Sequence, residues 1–168
     1  AVDMGLLFFV SNSFSKNLSL YGERVGGLSV VCKDEAQAKA VQGQLQFSIR
    51  RIYSSPPSHG GHVVDIVMND EALFNEWVQE VYVMRDRIKE MRQKLRDSLE
   101  AKLPGRSFDY ITKQNGMFSY TGLTPEQVAR IIKDFGIYMV ANGRISVAGL
   151  NASNIDYVAN AMAEVLKD

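Results

Sequence analysis

The chain has 168 residues, of which 46% are hydrophobic and 23% charged, an ordinary composition for a globular protein of one domain or two small ones. Its 19 basic and 19 acidic residues give zero net charge, which offers no electrostatic argument for nucleic acid or an anionic membrane as a partner. The single cysteine excludes an intramolecular disulfide framework and fits a cytoplasmic setting, and no bilayer-spanning run or signal peptide is visible.

Two strands, a helix and a loop are predicted in the first third of the chain. The apolar runs Leu6–Val10 and Leu28–Cys32, each flanked by polar or glycine-rich turns, predict buried strands. Asp34 is placed to cap a helix whose apolar face continues to Ile49. The segment Tyr53–His62 is rich in proline, glycine and serine, which predicts a loop.

A long helix is predicted from about Glu71 to Leu103. Asn69 or Asp70 can cap its start, and Pro104-Gly105 ends it. Its apolar residues recur at spacings of three, four and seven, as expected for one buried face. Its second half carries many charges, including Arg92, which predicts a side that faces solvent.

The remainder predicts short strands and two helices. Met117–Tyr120 is typical of a short strand, and Thr124 followed by Gln127 has the spacing of a capping box at the start of a helix that Gly136 ends. The last predicted elements are two strands, Ile137–Val140 and Ile145–Ala148, joined by an Ala-Asn-Gly turn, and a final helix capped by Ser153. The pattern indicates an α/β or α+β fold in two parts, joined by the long helix.

Few motifs in the sequence carry chemistry. It has no zinc or calcium motif, no P-loop, no Gly-x-Gly-x-x-Gly segment and no spacing that indicates a Ser-His-Asp triad, so no metal site is predicted. What remains is Lys16 in the polar segment SNSFSKNLSLYGERVGG, residues 11–27. Composition alone favours a solvated loop lysine. The alternative is a lysine held in a site as the nucleophile for a carbonyl, beside serines and an arginine that suit a phosphate.

The lysine segment closely resembles the pyridoxal-phosphate lysine segment of the aspartate/aromatic aminotransferase family, which has fold type I. The match continues, in order, as IRRIYSSPPSHGG, NGMFSYTGLTPEQV and FGIYMVANGRISVAGLN. The details GLSVVC, RRIYSSPP and MFSYTGL are most similar to bacterial aromatic-amino-acid (tyrosine) aminotransferases. The resemblance covers essentially all 168 residues but less than half of the family's chain, namely its C-terminal part.

The resemblance implies the C-terminal part of a fold type I α/β transferase that depends on pyridoxal phosphate. Residues 1–83 would be the end of the large cofactor domain, whose sheet is mostly parallel. The long helix would link it to a small α/β domain, residues 84–168. In the family, four cofactor contacts lie upstream of the lysine: the aspartate that pairs with the pyridinium nitrogen, the tyrosine near the phenolic oxygen, the aromatic residue that stacks on the ring, and the glycine/serine phosphate loop. Only 15 residues precede Lys16 here. We therefore expect a fragment that is inactive by itself.

The cofactor contacts follow from the matched residues. Lys16, in SFSKN, matches the lysine that holds pyridoxal 5′-phosphate as a Schiff base and moves a proton at the substrate Cα. Ser13 and Arg24 match ligands of the cofactor phosphate. Ser54 matches a residue that faces the cofactor phosphate of a neighbouring subunit, which implies a homodimer with shared active sites.

The substrate contacts follow in the same way. Arg144, in NGRISVAG, matches the arginine that clamps the substrate α-carboxylate, and Arg50 matches the arginine that reaches into the neighbouring site to bind a dicarboxylate side chain. Phe118 matches a residue at the mouth of the pocket. The local pattern alone favours a surface turn residue at Arg144 and ordinary core at Phe118, and it allows a basic helix end at Arg50.

The resemblance implies transfer of an amino group from tyrosine or phenylalanine to 2-oxoglutarate through pyridoxal phosphate on Lys16. The substrates would be small amino acids and 2-oxo acids, and neither nucleic acid nor membrane is expected as a partner. Aspartate aminotransferase is the first alternative, because the shared arginines serve both reactions. The second is a non-catalytic chain that acts only in packing or dimerisation.

Overall fold

The computed structural model describes residues 1–167 and divides the chain into two compact units, Ala1–Gln79 and a second unit that begins at Glu80. Each unit contains its own two-stranded antiparallel sheet. Within the described residues, every buried hydrophobic side chain lies in the second unit, between Met91 and Leu166. The assignment of residues 1–83 to a cofactor domain and 84–168 to a small domain stays a prediction.

The first unit opens with a short 3-10 helix, Val2–Met4, and a β-ribbon. Strands β1 (Phe8–Ser13) and β2 (Gly26–Val31) pair antiparallel, with Phe8 opposite Val31 and Ser13 opposite Gly26. Both strands were predicted, but the prediction that they are buried is wrong, since Phe9 is 67% and Leu28 51% exposed. A ribbon of two strands offers few neighbours to cover its faces.

Helix α1 (Glu35–Ile52) follows as predicted, and the Asp34 carboxylate accepts a hydrogen bond from the backbone N–H of Gln37 at 2.8 Å. Helix α2 (His59–Asn69) was not predicted, because its first turn contains two of the glycines taken as signs of a loop. Gly60 is instead buried, and a Cβ there would lie 2.3 Å from Val25 Cγ2. This glycine permits a close approach and does not break the helix.

Helix α3 (Glu71–Lys102) confirms the predicted long helix and runs through the boundary between the units. The Asp70 carboxylate accepts a hydrogen bond from the N–H of Leu73 at 3.0 Å, which confirms the predicted cap. Buried positions occur only in its C-terminal part: Met91, Arg92, Leu95 and Leu99. After the helix, Gly105 has a φ of 89°, the left-handed region that glycine adopts without strain.

The second unit packs its helices around one hydrophobic core. Its elements are α4 (Asp109–Lys113), β3 (Phe118–Tyr120), α5 (Pro125–Phe135), β4 (Arg144–Ser146), a 3-10 turn (Val147–Gly149) and α6 (Ile155–Leu166). The predicted capping box of α5 is confirmed, with Thr124 and Gln127 each accepting a hydrogen bond from the other's backbone N–H. Gly136 ends the helix at a φ of 64°, also as predicted.

Two secondary-structure predictions in this unit, a strand and a helix cap, are wrong. Residues 137–140 do not form a strand, because β4 pairs with β3. Only the N–H of Val140 bonds across, to the carbonyl of Arg144 at 3.3 Å. Ser153 does not cap α6: the Asn151 side chain accepts the N–H groups of Ser153 and Asn154 at 2.9 and 3.1 Å, and the helix begins at Ile155.

Candidate functional site

A loop between β1 and β2 brings Ser13, Lys16 and Arg24 to one end of the ribbon. The register places Ser13 opposite Gly26, two residues after Arg24. The N–H of Phe14 donates to the carbonyl of Val25 at 3.1 Å, which closes the base of the loop. The pairing of the strands therefore gathers the three residues predicted to bind the cofactor in this segment.

Lys16 is an exposed amine on an anchored backbone. Its Nζ lies 4.8 Å from the centroid of the Tyr21 ring, and within residues 1–167 it makes no hydrogen bond or ion pair. The next residue is held by Trp77, whose indole N–H donates to the Asn17 carbonyl at 2.7 Å. The preceding residue, Ser15, is buried. The amine can thus approach a ligand while its backbone stays in place.

Ser13 and Arg24, which lie on either side of this lysine along the chain, present polar groups. The Ser13 hydroxyl donates to Ser15 Oγ at 3.1 Å and accepts the N–H of Ser15 at 3.3 Å. Arg24 donates one Nη1 hydrogen bond to the Tyr21 carbonyl at 3.0 Å, which leaves most of its guanidinium for an anion. A hydroxyl and a guanidinium are suitable donors for a phosphate.

Backbone strain marks two of the predicted phosphate ligands. Among residues 1–167, the non-glycine residues with positive φ are Ser19 (54°), Arg24 (55°) and Ser54 (62°). Such conformations cost about 1–3 kcal/mol each and concentrate at ligand sites. The strain at Arg24 and Ser54 is therefore an observation in favour of function that the sequence does not contain.

The loop of Arg24 packs against the first turn of α2. A Cβ at Gly60 would lie 2.3 Å from Val25 Cγ2 and 2.9 Å from Glu23 Cβ. The two residues that flank Arg24 therefore depend on a glycine at this position. Sequence reasoning assigned no role to Gly60, which lies within the predicted loop Tyr53–His62 and gave no signal of a close contact.

Arg50 and Ser54 form a second cluster at the C-terminal end of α1. Arg50 Nη1 donates to Ser54 Oγ at 2.8 Å, and both residues are exposed. The structure joins these two predicted residues to each other. Within residues 1–167, neither has a hydrogen bond or ion pair to Lys16 or to Arg24.

Arg144 and Phe118 lie together in the second unit. The guanidinium carbon of Arg144 is 4.9 Å from the centroid of the Phe118 ring, a cation–π contact. Both residues line a cavity of about 350 Å³, with Tyr138, Met139 and Val140. Arg144 is exposed, and in the described part of the chain its guanidinium makes no hydrogen bond or ion pair. Its N–H groups are available to a carboxylate.

The backbone beside Arg144 is fixed by β3. Arg144 pairs with Tyr120, and the preceding carbonyl, of Gly143, accepts hydrogen bonds from the N–H and hydroxyl of Thr121 at 3.0 and 2.8 Å. Gly143 has a φ of 81°, and a Cβ there would lie 2.8 Å from the Leu123 carbonyl oxygen. The sequence indicated only a turn at this glycine.

Arg92 was expected on a solvent-facing side of α3, and that prediction is wrong. Its side chain is buried, with 3% exposure, and hydrogen-bonds to the segment that carries Phe118. The signal was present in the spacing, since Ile88, Leu95 and Leu99 put Arg92 on the apolar face of the helix.

Residues 1–167 contain neither a cluster of metal-ligating side chains nor a membrane-spanning helix. In that range, no group of three or more His, Cys, Asp or Glu side chains could hold a metal ion. None of the helices in that range is long and apolar enough to cross a membrane.

Comparison with known proteins identifies similar chains along almost the whole length. The family described as Aminotransferase class I and II matches residues 1–162. The aromatic-amino-acid aminotransferase of Escherichia coli K12 is 56% identical over 162 residues, a match that covers 96% of this chain and 41% of that protein.

Solved structures are similar as well. The aromatic amino acid aminotransferase of Psychrobacter sp. B6, co-crystallised with aspartic acid, has 73% identity and a TM-score of 0.95 over 100% of this chain and 42% of its own. The enzyme from Burkholderia pseudomallei, covalently bound to pyridoxal phosphate, has 51% identity and a TM-score of 0.91 over 98% of this chain and 41% of its own. The chain thus spans about two-fifths of the length of these relatives. The expected fold, that of part of a fold type I α/β transferase, is confirmed.

Proposed function

Because the chain belongs to the class I and II aminotransferase family, we propose that its protein transfers an amino group from tyrosine or phenylalanine to 2-oxoglutarate with pyridoxal 5′-phosphate as cofactor. The observation that carries the proposal is the Lys16 amine, exposed and uncommitted among residues 1–167 on a loop whose backbone is anchored. The unpaired Cys32 fits a reducing, cytoplasmic setting.

The residues of the loop fit this cofactor. Lys16 would bind it covalently through Nζ, while Ser13 and Arg24 would donate hydrogen bonds to its phosphate. The positive φ of Arg24 supports this role, since strained conformations of this kind concentrate at ligand sites. When bound, pyridoxal phosphate supplies the electron sink that makes the substrate Cα acidic. Once the incoming substrate amine has displaced it from the cofactor, the free Lys16 amine would take the proton from the substrate Cα and deliver it to C4′ of the cofactor.

Arg144 would bind the substrate α-carboxylate. Its planar guanidinium presents two parallel N–H donors to a carboxylate, and the Phe118 ring beside it limits the directions in which it can point. The fixed backbone at Gly143 supports the same role, because a bidentate contact requires a defined origin for the side chain. Substrate held in this way presents a constant geometry at Cα.

Arg50 and Ser54 would serve the site of a second copy of the chain. Both side chains are exposed and therefore accessible to another copy. Arg50 would bind the distal carboxylate of 2-oxoglutarate, and Ser54 the cofactor phosphate. A homodimer with shared sites follows from the proposal.

A preference for aspartate is the second candidate. The observation that favours it is that the aromatic amino acid aminotransferase of Psychrobacter sp. B6 was co-crystallised with aspartic acid. Activity of the complete protein with tyrosine, phenylalanine and aspartate, at matched 2-oxoglutarate, separates the two. Higher kcat/KM for the aromatic substrates supports the first candidate, and higher kcat/KM for aspartate supports the second.

The role of Lys16 is tested by covalent labelling. The protein is incubated with pyridoxal phosphate, reduced with borohydride and digested, and peptide masses locate the pyridoxyl group. We expect one dominant label on Lys16, because its amine lies among phosphate ligands. Lys16→Arg should remove the label and lower turnover of the complete protein by about a hundredfold or more.

Lys33→Arg is the matched control, since Lys33 is an exposed lysine at the end of the same ribbon. It should leave both the label and the turnover unchanged. An amino-transfer assay of the 168-residue polypeptide tests our expectation that it cannot turn over by itself. Slow, scattered modification of many lysines in the complete protein would contradict the proposed role of Lys16.

A further inference from the structure

We propose that Arg92 is a positioning residue for the substrate-carboxylate site, setting strand β3 so that Phe118 and Arg144 meet in the geometry a carboxylate needs. The inference rests on the proposed function of Arg144. It concerns a side chain that neither the resemblance nor the matched segments assign to the site.

Arg92 directs its guanidinium at the segment that carries Phe118. Nη2 donates to the carbonyls of Gly116 and Phe118 at 2.9 and 2.7 Å, and Nη1 donates to Ser119 Oγ and the carbonyl of Ile111 at 2.9 and 2.8 Å. Three of the four acceptors therefore belong to β3 or to the turn that enters it. One rigid, planar group fixes the position of all of them relative to α3.

The surroundings of Arg92 are costly for a charge. The side chain is 3% exposed, and none of its partners in residues 1–167 is a carboxylate. Burial lowers the pKa of this guanidinium, which nevertheless remains charged at neutral pH. Apolar residues of similar volume often stabilise a core as well as or better than a buried charge. The guanidinium instead fixes the distances from α3 to three backbone carbonyls and to the Ser119 hydroxyl.

The strand that Arg92 holds is the strand on which Arg144 depends. In the sheet, Phe118 lies opposite Ser146 and Tyr120 opposite Arg144. Phe118 and Tyr120 are two positions apart, so their side chains lie on the same face of β3. A shift of β3 would move the Phe118 ring away from the Arg144 guanidinium and displace the backbone partner of Arg144 at the same time.

A second guanidinium on α3 holds the other strand. Arg87 donates to the carbonyls of Ala148 and Leu150, both at 2.8 Å, just after β4. The two arginines thus connect the segments of both strands to one helix. This arrangement supports a positioning role, because it controls the offset between the strand of Phe118 and the strand of Arg144.

The test compares Arg92→Lys with the native form in the complete protein. Lysine keeps the charge but has a single ammonium, which cannot meet four acceptors in the same plane. We expect the KM of the amino-acid substrate and the Ki of succinate, a non-reacting dicarboxylate probe, to rise about tenfold or more, as for a misplaced binding group. The kcat should fall by less than in Lys16→Arg, since the proposed base, Lys16, is untouched.

Arg96→Lys is the matched control. Arg96 lies one turn further along α3 and pairs with Glu100 and Asp109 at 3.3 and 2.8 Å, without a bond to β3. It should lower the melting temperature without altering KM or the succinate Ki. If Arg92→Lys also lowers the melting temperature without altering KM or the succinate Ki, Arg92 is merely structural and the inference is overturned.

Two further variants keep the outcome decisive. Ser119→Ala removes one acceptor of Arg92 and should raise the succinate Ki about two- to tenfold, so it decides the matter if Arg92→Lys fails to fold. An unchanged Ki in Ser119→Ala would then overturn the inference.

Arg144→Lys must itself raise the succinate Ki; if it does not, the proposed function of Arg144 fails. If Arg144→Lys raises the succinate Ki but neither Arg92→Lys nor Ser119→Ala does, only the positioning role of Arg92 is overturned.

Discussion

Single residues in this chain are often constrained by atoms that are distant in sequence. Gly60 is the clearest case. A Cβ at this position would lie only 2.3 Å from Val25 Cγ2, so Val25 can pack here only because glycine has no side chain. Residues of this kind carry no chemistry of their own. They determine where Arg24, the proposed phosphate ligand, is held.

Gly60→Ala should weaken cofactor binding. The added methyl group forces the loop on either side of Arg24 to move, and such overpacking costs about 1–3 kcal/mol. If that cost falls on the loop, the dissociation constant of pyridoxal phosphate should rise about tenfold. A spectrophotometric titration of the complete protein with pyridoxal phosphate measures it.

The neighbouring glycine supplies the control for this prediction. A Cβ at Gly61 would meet nothing within 4 Å, and alanine is the better helix former. Gly61→Ala should therefore leave the dissociation constant unchanged. Equal effects of the two substitutions would mean that helix propensity, and not contact with the Arg24 loop, explains the result.

At the residue scale, the sequence predicted which residues belong to the candidate site better than it predicted which residues they contact. Lys16, Arg144 and Phe118 were named from matched motifs, and the cation–π contact between Arg144 and Phe118 was not foreseen. The burial of Arg92 was missed, because a charge on a helix is ordinarily solvated and only the surrounding fold shows which acceptors await it. These differences arise from tertiary packing, which local patterns do not contain.

At the scale of elements, helix ends with local side-chain chemistry were predictable. The caps at Asp34, Asp70 and Thr124 use partners within three residues, and each is confirmed. The strand predicted over residues 137–140 failed for the opposite reason. Strand pairing is decided between distant segments, and β3 provides the partner for β4.

Thr124→Ala should destabilise the second unit by about 1 kcal/mol, since it removes the side-chain acceptor of the capping box of α5. Urea denaturation followed by circular dichroism gives the free energy of unfolding. Ser153→Ala is the comparison, because Asn151 and not Ser153 accepts the free N–H groups before α6. Its effect should be smaller; a loss as large as that of Thr124→Ala would contradict this account of the two caps.

At the scale of the whole molecule, the two units differ in how much apolar surface they bury. All buried hydrophobic side chains among residues 1–167 belong to the second unit, and the first has exposed large apolar side chains without a buried hydrophobic core. These include Leu6, Phe9, Leu28, Phe47, Ile52 and Ile66. Burial of apolar surface is the main stabilising contribution to folding, so the second unit should be the more stable part of the 168-residue polypeptide.

Limited trypsin digestion of that polypeptide should therefore leave a protected product that begins within α3 and contains residues from about Glu80 onward. Mass spectrometry identifies the product. Most of the lysines and arginines lie in the second unit, so protection there cannot be explained by a lack of cleavage sites. Equal resistance of residues 1–79 would contradict the expected difference in stability.

The positive φ angles of Arg24 and Ser54 also bear on how this protein can be engineered. Glycine adopts this conformation without strain, so a screen that rewards heat resistance alone would favour glycine at both positions. Each such gain would remove a side chain proposed to hold the cofactor. Consensus design or directed evolution for thermostability should therefore exclude these two positions, where robustness and activity select opposite residues.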